Sequence, residues 1–179
     1  MSRSRQETLA GAIRATKPLF VRFTRDFTDH TRTRQFERLP NHVVWCLGHC
    51  ALTMHRVAER FDGAPLPEAD FKSGDGRSGD AKRFDTESVC FGSTAVDEPA
   101  IYPTLERAVE VYEAACDRFA AAVENATDAR LDEELPWHDG SMTHEDLVLR
   151  LCFHNGCHAG QITDLRRAFE MPPVITPRR

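Results

Sequence analysis

Apolar residues recur every three or four positions in four segments of the chain, which is the spacing of one face of an α-helix. The first segment carries a mainly aromatic stripe, in which Pro18 either kinks the helix or marks a late start. The stripe consists of Leu9, Ile13, Phe20, Phe23 and Phe27. The second segment, from about His42 to Phe61, is apolar nearly all round and ends at Gly63, so we expect a buried helix there.

The third and fourth segments continue this pattern. The third opens at Pro103 and alternates spacings of four and three residues, which indicates the seam of a helical bundle. Its apolar positions are Leu105, Val109, Tyr112, Cys116, Phe119 and Val123. The fourth begins near 141–143, where hydroxyl side chains can cap a helix, and stops before Pro172. No segment shows the alternation that predicts a β-strand, so we expect an all-α protein.

A long connection separates the second and third helical segments. About 38 residues, from roughly 63 to 100, are rich in Gly, Pro, Asp and Ser, far more than an antiparallel connection needs. A crossover along the bundle would make helices two and three parallel, so the sequence predicts an up-down-down-up four-helix bundle. Alternatively, this connection is a partly disordered insertion that does not run along the bundle. With 179 residues and no internal repeat, we expect a single domain over residues 1–179.

Composition and charge narrow the function classes. The formal net charge is -5 and basic residues are spread along the chain, so nothing predicts nucleic-acid binding. No apolar run approaches the roughly 20 residues of a membrane span, and the N-terminus lacks the apolar core of a secretory signal. We therefore expect a cytoplasmic protein that does not bind membranes. In a reducing compartment most of the six cysteines should be buried thiols.

Two histidines interrupt the apolar stripe of the fourth segment. His154 and His158 lie one helical turn apart and share a face with Leu151 and Ile162. At this spacing their Cβ atoms are about 5–6 Å apart, close enough for two ring nitrogens to bind one metal ion. Without a partner, two buried histidines would face desolvation and mutual repulsion on protonation. The pair therefore indicates a metal site.

His49 is the candidate for a third ligand from another helix. It lies in the run WCLGH of the second segment, on the side of Trp45. Three neutral imidazoles leave a coordination position open, as catalytic zinc sites do. Gly48, Gly156 and Gly160 lower the helix propensity beside these histidines, which suits a close backbone approach or room for a ligand.

Other side chains compete for these roles. His42 and His30 lie on faces from which either could replace a ligand, and Cys46 is one turn from His49. Three further histidines are expected to be solvated or to cap helices: His55, His138 and His144. Gln161 either hydrogen-bonds a metal ligand or points to the surface. The histidines could also be core residues of a helical interaction protein without metal.

Two other kinds of metal site need ligands that the chain does not offer. A ferritin-like di-iron centre uses Glu-x-x-His pairs, but the positions three before His154 and His158 are Leu151 and Asn155. A His-Glu-x-x-His zinc protease needs its glutamate as general base, and residues 154–158 read His-Asn-Gly-Cys-His. The site is therefore expected to hold a single ion.

The run WCLGH, followed about 105 residues later by HNGCHAGQITDLRR, resembles the DinB-like superfamily of bacterial metal-binding bundles. The resemblance covers most of the chain, and CFGS at 90–93 leading to YPTL at 102–105 is similar to the family's approach to its third helix. It implies that His49, His154 and His158 bind one divalent metal ion, commonly zinc or nickel. It also suggests a homodimer.

The resemblance leaves the reaction open, because similar bundles include thiol-dependent transferases, an isomerase and members of unknown activity. One hypothesis is a metal-dependent enzyme, a thiol transferase or hydrolase that acts on a small molecule or a low-molecular-weight thiol. The metal would then lower the pKa of a bound water or stabilise a thiolate, and the loop at 63–100 would shape or cover the pocket. The other hypothesis is a non-catalytic metal-binding or stress-associated bundle.

Overall fold

Helices dominate the computed structural model, which describes residues 3–137 and 139–175. The described chain is 56% helix, in six helices accompanied by small sheets, so the prediction of a helix-rich protein is confirmed. Four helices are long: α1 (Arg5–Phe23), α2 (Val43–Asp62), α4 (Leu105–Glu124) and α6 (His144–Ala168). Two are short: α3 (Thr86–Val89) and α5 (Asp128–Asp132).

Two small sheets contradict the expectation of a chain without strands. β1 (Phe71–Lys72) pairs in parallel with β2 (Phe84–Asp85), and β3 (Glu134–Trp137) pairs antiparallel with β4 (Gly140–Thr143). The strands are too short for an alternating pattern to be recognised in the sequence. β1, β2, α3 and a 3-10 turn at Pro99–Ile101 all lie in the connection between α2 and α4, so this crossover contains defined local structure.

The ends of α2 follow the capping residues in its sequence. His42 precedes the helix, and its Nδ1 accepts a hydrogen bond from the backbone N–H of Trp45. Gly63 ends the helix with a φ of 69°, in the left-handed region that glycine adopts without strain. The predicted boundaries of this helix are confirmed. In α1, by contrast, Pro18 lies inside the helix and does not break it.

The other two long helices begin at hydroxyl caps. Thr143 caps α6 and forms a capping box with Asp146, within the predicted starting region. Thr104 caps α4, so that helix begins after the predicted start at Pro103. Capping decides this boundary because the Thr104 side chain accepts a hydrogen bond from the N–H of Arg107.

Each long helix packs against two others: α2 contacts α4 and α6, and α1 contacts the same two helices. The first residue of α1, Arg5, forms an ion pair with Glu145 at the start of α6. Near the end of α6, Arg166 is 2.7 Å from Asp26, which follows α1. Lys17 of α1 is 2.6 Å from Asp117 of α4. These pairs connect α1 to both of the helices that it contacts.

The centre of the core is α2, which is buried on nearly every side as its composition predicts. Gly48 is the point of closest approach: a Cβ there would lie 2.4 Å from Cε1 of Phe84 in β2. Of the two roles expected for Gly156 and Gly160, the close backbone approach does not occur, since a Cβ at either would meet nothing within 4 Å.

Burial of the cysteines is less complete than expected. Cys46, Cys50 and Cys116 are buried, whereas Cys90 and Cys152 are half-buried and Cys157 is exposed. All six are free thiols. In the described part of the chain, no helix is both long enough and apolar enough to cross a membrane.

The Gly48 contact predicts opposite effects of two glycine-to-alanine changes. Gly48→Ala should lower the free energy of unfolding by about 1–3 kcal/mol, because the new methyl group overlaps the Phe84 ring. Gly156→Ala is the matched control in an open helical position and should raise it by up to about 1 kcal/mol. Urea denaturation measures both values. Equal effects would contradict the close approach of Phe84 to α2.

The His42 cap predicts a pH dependence of stability. Burial lowers the pKa of His42 to about 4, below the value of about 6.5 expected in the unfolded chain. As the pH falls, the unfolded chain therefore binds this proton first. The stability associated with neutral His42 is complete above about pH 6.5 and is lost between there and about pH 4.

His42→Asn tests this dependence, because asparagine keeps a capping side chain and removes the titrating group. Between about pH 7 and pH 4, wild type should lose more unfolding free energy than the variant, by roughly 2–3 kcal/mol. Urea denaturation at both pH values gives the comparison. The same pH dependence in both proteins would show that His42 is not protonated on unfolding.

Candidate metal centre

Three histidines from α2 and α6 meet at one point, where His49 and His158 are buried and His154 is half-buried. His49, His154 and His158 each offer a ring nitrogen, and these nitrogens all lie within 4.8 Å of one another. Nε2 of His154 is 3.1 Å from Nε2 of His49 and 3.2 Å from Nε2 of His158. Two nitrogens that bind one ion at about 2.0–2.1 Å in tetrahedral geometry are roughly 3.3 Å apart. The observed spacing is close to that value.

The opposite ring nitrogens set the tautomers of two of these histidines. Nδ1 of His49 is 2.8 Å from the carbonyl oxygen of Val89, and Nδ1 of His158 is 3.0 Å from Oε1 of Gln161. Because a carbonyl oxygen only accepts, each Nδ1 carries the proton and donates it. Nε2 of His49 and Nε2 of His158 are therefore left as lone pairs that face His154.

This arrangement fits a divalent cation. Nε2 of His154 faces two lone pairs, and a single proton on it satisfies only one neighbour at a time. Three Nε2 atoms that share at most one proton can each offer a lone pair to a metal, and zinc and similar ions bind such sets of imidazole ligands. A cation satisfies all three lone pairs at once, which a proton does not.

Burial keeps the three imidazoles neutral. Desolvation lowers the pKa of His154 and that of His158 to about 4, and it lowers the pKa of His49 below its usual value. Repulsion between the neighbouring rings acts in the same direction for His154 and His158. At neutral pH the rings are neutral imidazoles, each with one N–H and one nitrogen lone pair, which is the state in which histidine binds metal.

Two neighbouring side chains hold these rings in place. The indole of Trp45 is stacked on the ring of His49, with centroids 4.6 Å apart and an interplanar angle of 10°. Oε1 of Gln161 also accepts a hydrogen bond from Nδ2 of Asn41 at 2.9 Å. Gln161 therefore points into the protein and contacts His158, as one of its two predicted roles requires.

The competing ligands lie outside the cluster. His42 caps α2, and its Nε2 is 3.1 Å from the carbonyl oxygen of Val96. His30 is exposed in a turn after α1. The Cys46 thiol lies 3.6 Å from Oε1 of Gln161, and burial raises its pKa above the ordinary range, which disfavours the thiolate that binds metal.

His55 and His144 are both buried, so neither is solvated as one of the two expectations for them required. Nδ1 of His55 is 3.2 Å from the guanidinium of Arg118, and burial lowers the pKa of His55 to about 4. Nδ1 of His144 is 2.8 Å from the carbonyl oxygen of Glu133. Because α2 is buried on nearly every side, a residue that faces away from His49 still faces the protein. His138 lies outside the described residues.

A cavity of about 450 Å³ adjoins His49 and His154. Its walls are mainly apolar side chains of α2 and α6, and the crossover contributes Cys90 and Phe91. The contact between Val89 and His49 could not be predicted from the sequence, because it uses a backbone carbonyl. The crossover thus contributes both to the support of one candidate ligand and to the wall of the cavity beside it.

Comparison with known proteins identifies the family to which the chain belongs. The family model described as the DinB superfamily matches residues 12–162. No curated protein shows a significant match. The fold is similar to that of a conserved protein from Enterococcus faecalis, with a TM-score of 0.68 and 11% identity over 93% of this chain and 97% of that one. Because the family model matches most of its length, the chain belongs to the DinB superfamily.

Proposed function

We propose that the chain is a metal-dependent enzyme that uses one divalent ion, zinc or nickel, held by His49, His154 and His158. The observation that carries the proposal is the convergence of their Nε2 atoms beside an apolar cavity. Three protein ligands leave one position open, and an ion so bound lowers the pKa of a water molecule or stabilises a thiolate. The proposed reaction is thiol transfer or hydrolysis on a small molecule or low-molecular-weight thiol.

The chain's own residues perform the remaining tasks. The carbonyl of Val89 and the amide oxygen of Gln161 accept the Nδ1 protons and so keep two Nε2 atoms free. The stacked indole of Trp45 fixes the plane of the His49 ring. The apolar walls of the cavity would displace water from the part of a bound substrate that they cover, which strengthens electrostatic interactions there.

A non-catalytic metal-binding or stress-associated role is the second candidate. It is favoured by the lining of the cavity, which in the described chain contains no aspartate or glutamate to act as a general acid or base. Screening low-molecular-weight thiols against electrophiles, with and without metal, separates the two roles. Metal-dependent turnover supports the enzyme, whereas a consistently negative screen favours the binding role.

We also propose that the four long helices form an up-down-down-up bundle within one domain over residues 1–179. The proposal is supported by the pairing of the start of α1 with the start of α6 through Arg5 and Glu145. The end of α1 is likewise close to the end of α6, through Asp26 and Arg166. A parallel arrangement of α1 and α6 is expected of the first and last helices in this topology.

A homodimer and a cytoplasmic location complete the proposal. Exposed apolar side chains on two helices that pack against each other support the dimer, because a second copy of the chain could cover them. They are Leu19 on α1 and Leu149 and Phe153 on α6, with exposed fractions of 50%, 50% and 73%.

Removal of one histidine tests the metal site. Wild type loaded with zinc or nickel should retain about one ion per chain, and His154→Ala should bind it more than about 100-fold more weakly. His30→Ala is the control, because His30 is an exposed histidine outside the cluster. Metal analysis after dialysis measures the content. A wild type without stoichiometric metal, or a His154→Ala variant that keeps all of it, would refute the site.

Gln161 should act as a positioning residue for His158. Gln161→Leu removes the acceptor for the Nδ1 proton and should weaken metal binding about 10- to 100-fold. Gln161→Glu keeps an acceptor and should stay close to wild type. Competition with a chromogenic chelator gives the affinities, and urea denaturation checks that both variants are equally folded. Equal metal affinities in the two variants would show that this hydrogen bond is dispensable.

A further inference from the structure

The cavity beside the histidines carries positive charge without a matching negative charge. Three arginines contribute to its lining, Arg56 and Arg60 from α2 and Arg150 from α6. Among the described residues the lining contains no carboxylate. The remaining walls are mainly apolar, so the cavity combines a hydrophobic surface with guanidinium groups.

These arginines differ from most others that border the interior. Arg107 is 2.5 Å from Asp70, and Arg118 is 2.9 Å from Asp62. Within the described ranges, by contrast, Arg56, Arg60 and Arg150 form no ion pair with the protein. The guanidinium of Arg150 instead lies over the ring of Trp137, 5.1 Å from its centroid. Their hydrogen-bond donors are therefore available to a ligand.

Helical spacing relates two of these arginines to the candidate metal ligands. Arg56 follows His49 by seven residues on α2, and Arg150 precedes His154 by four residues on α6. At about 1.5 Å per residue, the two offsets correspond to roughly 10 Å and 6 Å along the helices. A molecule of a few bonded heavy atoms can span such a distance.

We propose that this cavity binds a small organic anion, with its apolar body against α2 and α6 and its carboxylate bound by Arg56 and Arg150. Arg60 lines the same cavity and adds to the positive potential that attracts the anion. The opposite end of the molecule lies toward the histidines. The inference rests on the proposed function and names its substrate class, a carboxylate-bearing compound with a hydrophobic segment.

The physical basis is the strength of the arginine–carboxylate interaction. A guanidinium presents several donors in a planar fork that matches a carboxylate, and such charge-assisted hydrogen bonds are stronger than neutral ones. The apolar wall lowers the local dielectric and strengthens them further. A neutral molecule of the same shape gains the hydrophobic contacts and leaves the arginines solvated.

A matched pair of probes separates the contribution of the arginine–carboxylate bonds from that of the hydrophobic contacts. Isothermal titration calorimetry of wild type should show 4-phenylbutyrate binding about tenfold more tightly than 4-phenylbutan-1-ol. The double variant Arg56→Gln, Arg150→Gln should remove this preference while the alcohol keeps its affinity. Arg25→Gln is the control, because Arg25 is exposed after α1 and does not line the cavity. That variant should retain the preference for the acid.

The same titration in His154→Ala distinguishes this inference from the metal proposal. The preference for the acid should persist there, because the arginines are intact whether or not the metal site is. Equal binding of the two probes to wild type, or no binding of either at millimolar concentration, would overturn the inference. So would a preference that disappears in His154→Ala and survives in the arginine double variant, since the carboxylate would then bind at the histidines.

Discussion

The arrangement of the candidate site depends on one constraint: three imidazole rings meet in the interior with more nitrogen lone pairs than protons to share. Val89 and Gln161 accept the Nδ1 protons of two rings and so direct their Nε2 lone pairs at the third. Burial opposes the protonation that would otherwise relieve the contact, because it lowers the pKa of His154 and of His158 to about 4. Without a metal, burying such a cluster costs folding free energy, because some nitrogen lone pairs have no hydrogen-bond donor. With a metal, the same lone pairs become ligands and the cost is offset.

Support for this cluster links the long crossover to α2. The carbonyl that holds His49 belongs to Val89, the last residue of α3, and β2 lies immediately before α3. β2 packs closely on α2 because Gly48 leaves space for the ring of Phe84. A residue adjacent to His49 in sequence thus positions the segment that orients His49. The crossover is therefore part of the site's construction and does more than connect two helices.

Helical periodicity was sufficient to predict the long helices and to place His154 and His158 one turn apart on the same face. For the third ligand, periodicity left alternatives to His49 open, and the family resemblance selected it. Helical periodicity was insufficient to predict features that depend on contacts between distant parts of the chain. His55 was expected to be solvated or to cap a helix, yet it is buried because α2 is enclosed on nearly every side. The strands and the Val89 carbonyl left no signal, since short pairings and backbone acceptors do not depend on a recognisable residue pattern.

The position of the cavity follows from the same arrangement of helices. α2 and α6 contact each other, and the cavity between their side chains extends from His49 and His154 to three arginines along apolar walls. The charge of Arg56 lowers the pKa of His49, and the charge of Arg150 lowers the pKa of His154, so both arginines add to the effect of burial in disfavouring protonation. An anion bound by the arginines would offset part of this field. Ligand charge and the basicity of the candidate metal ligands are therefore coupled through the cavity that they share.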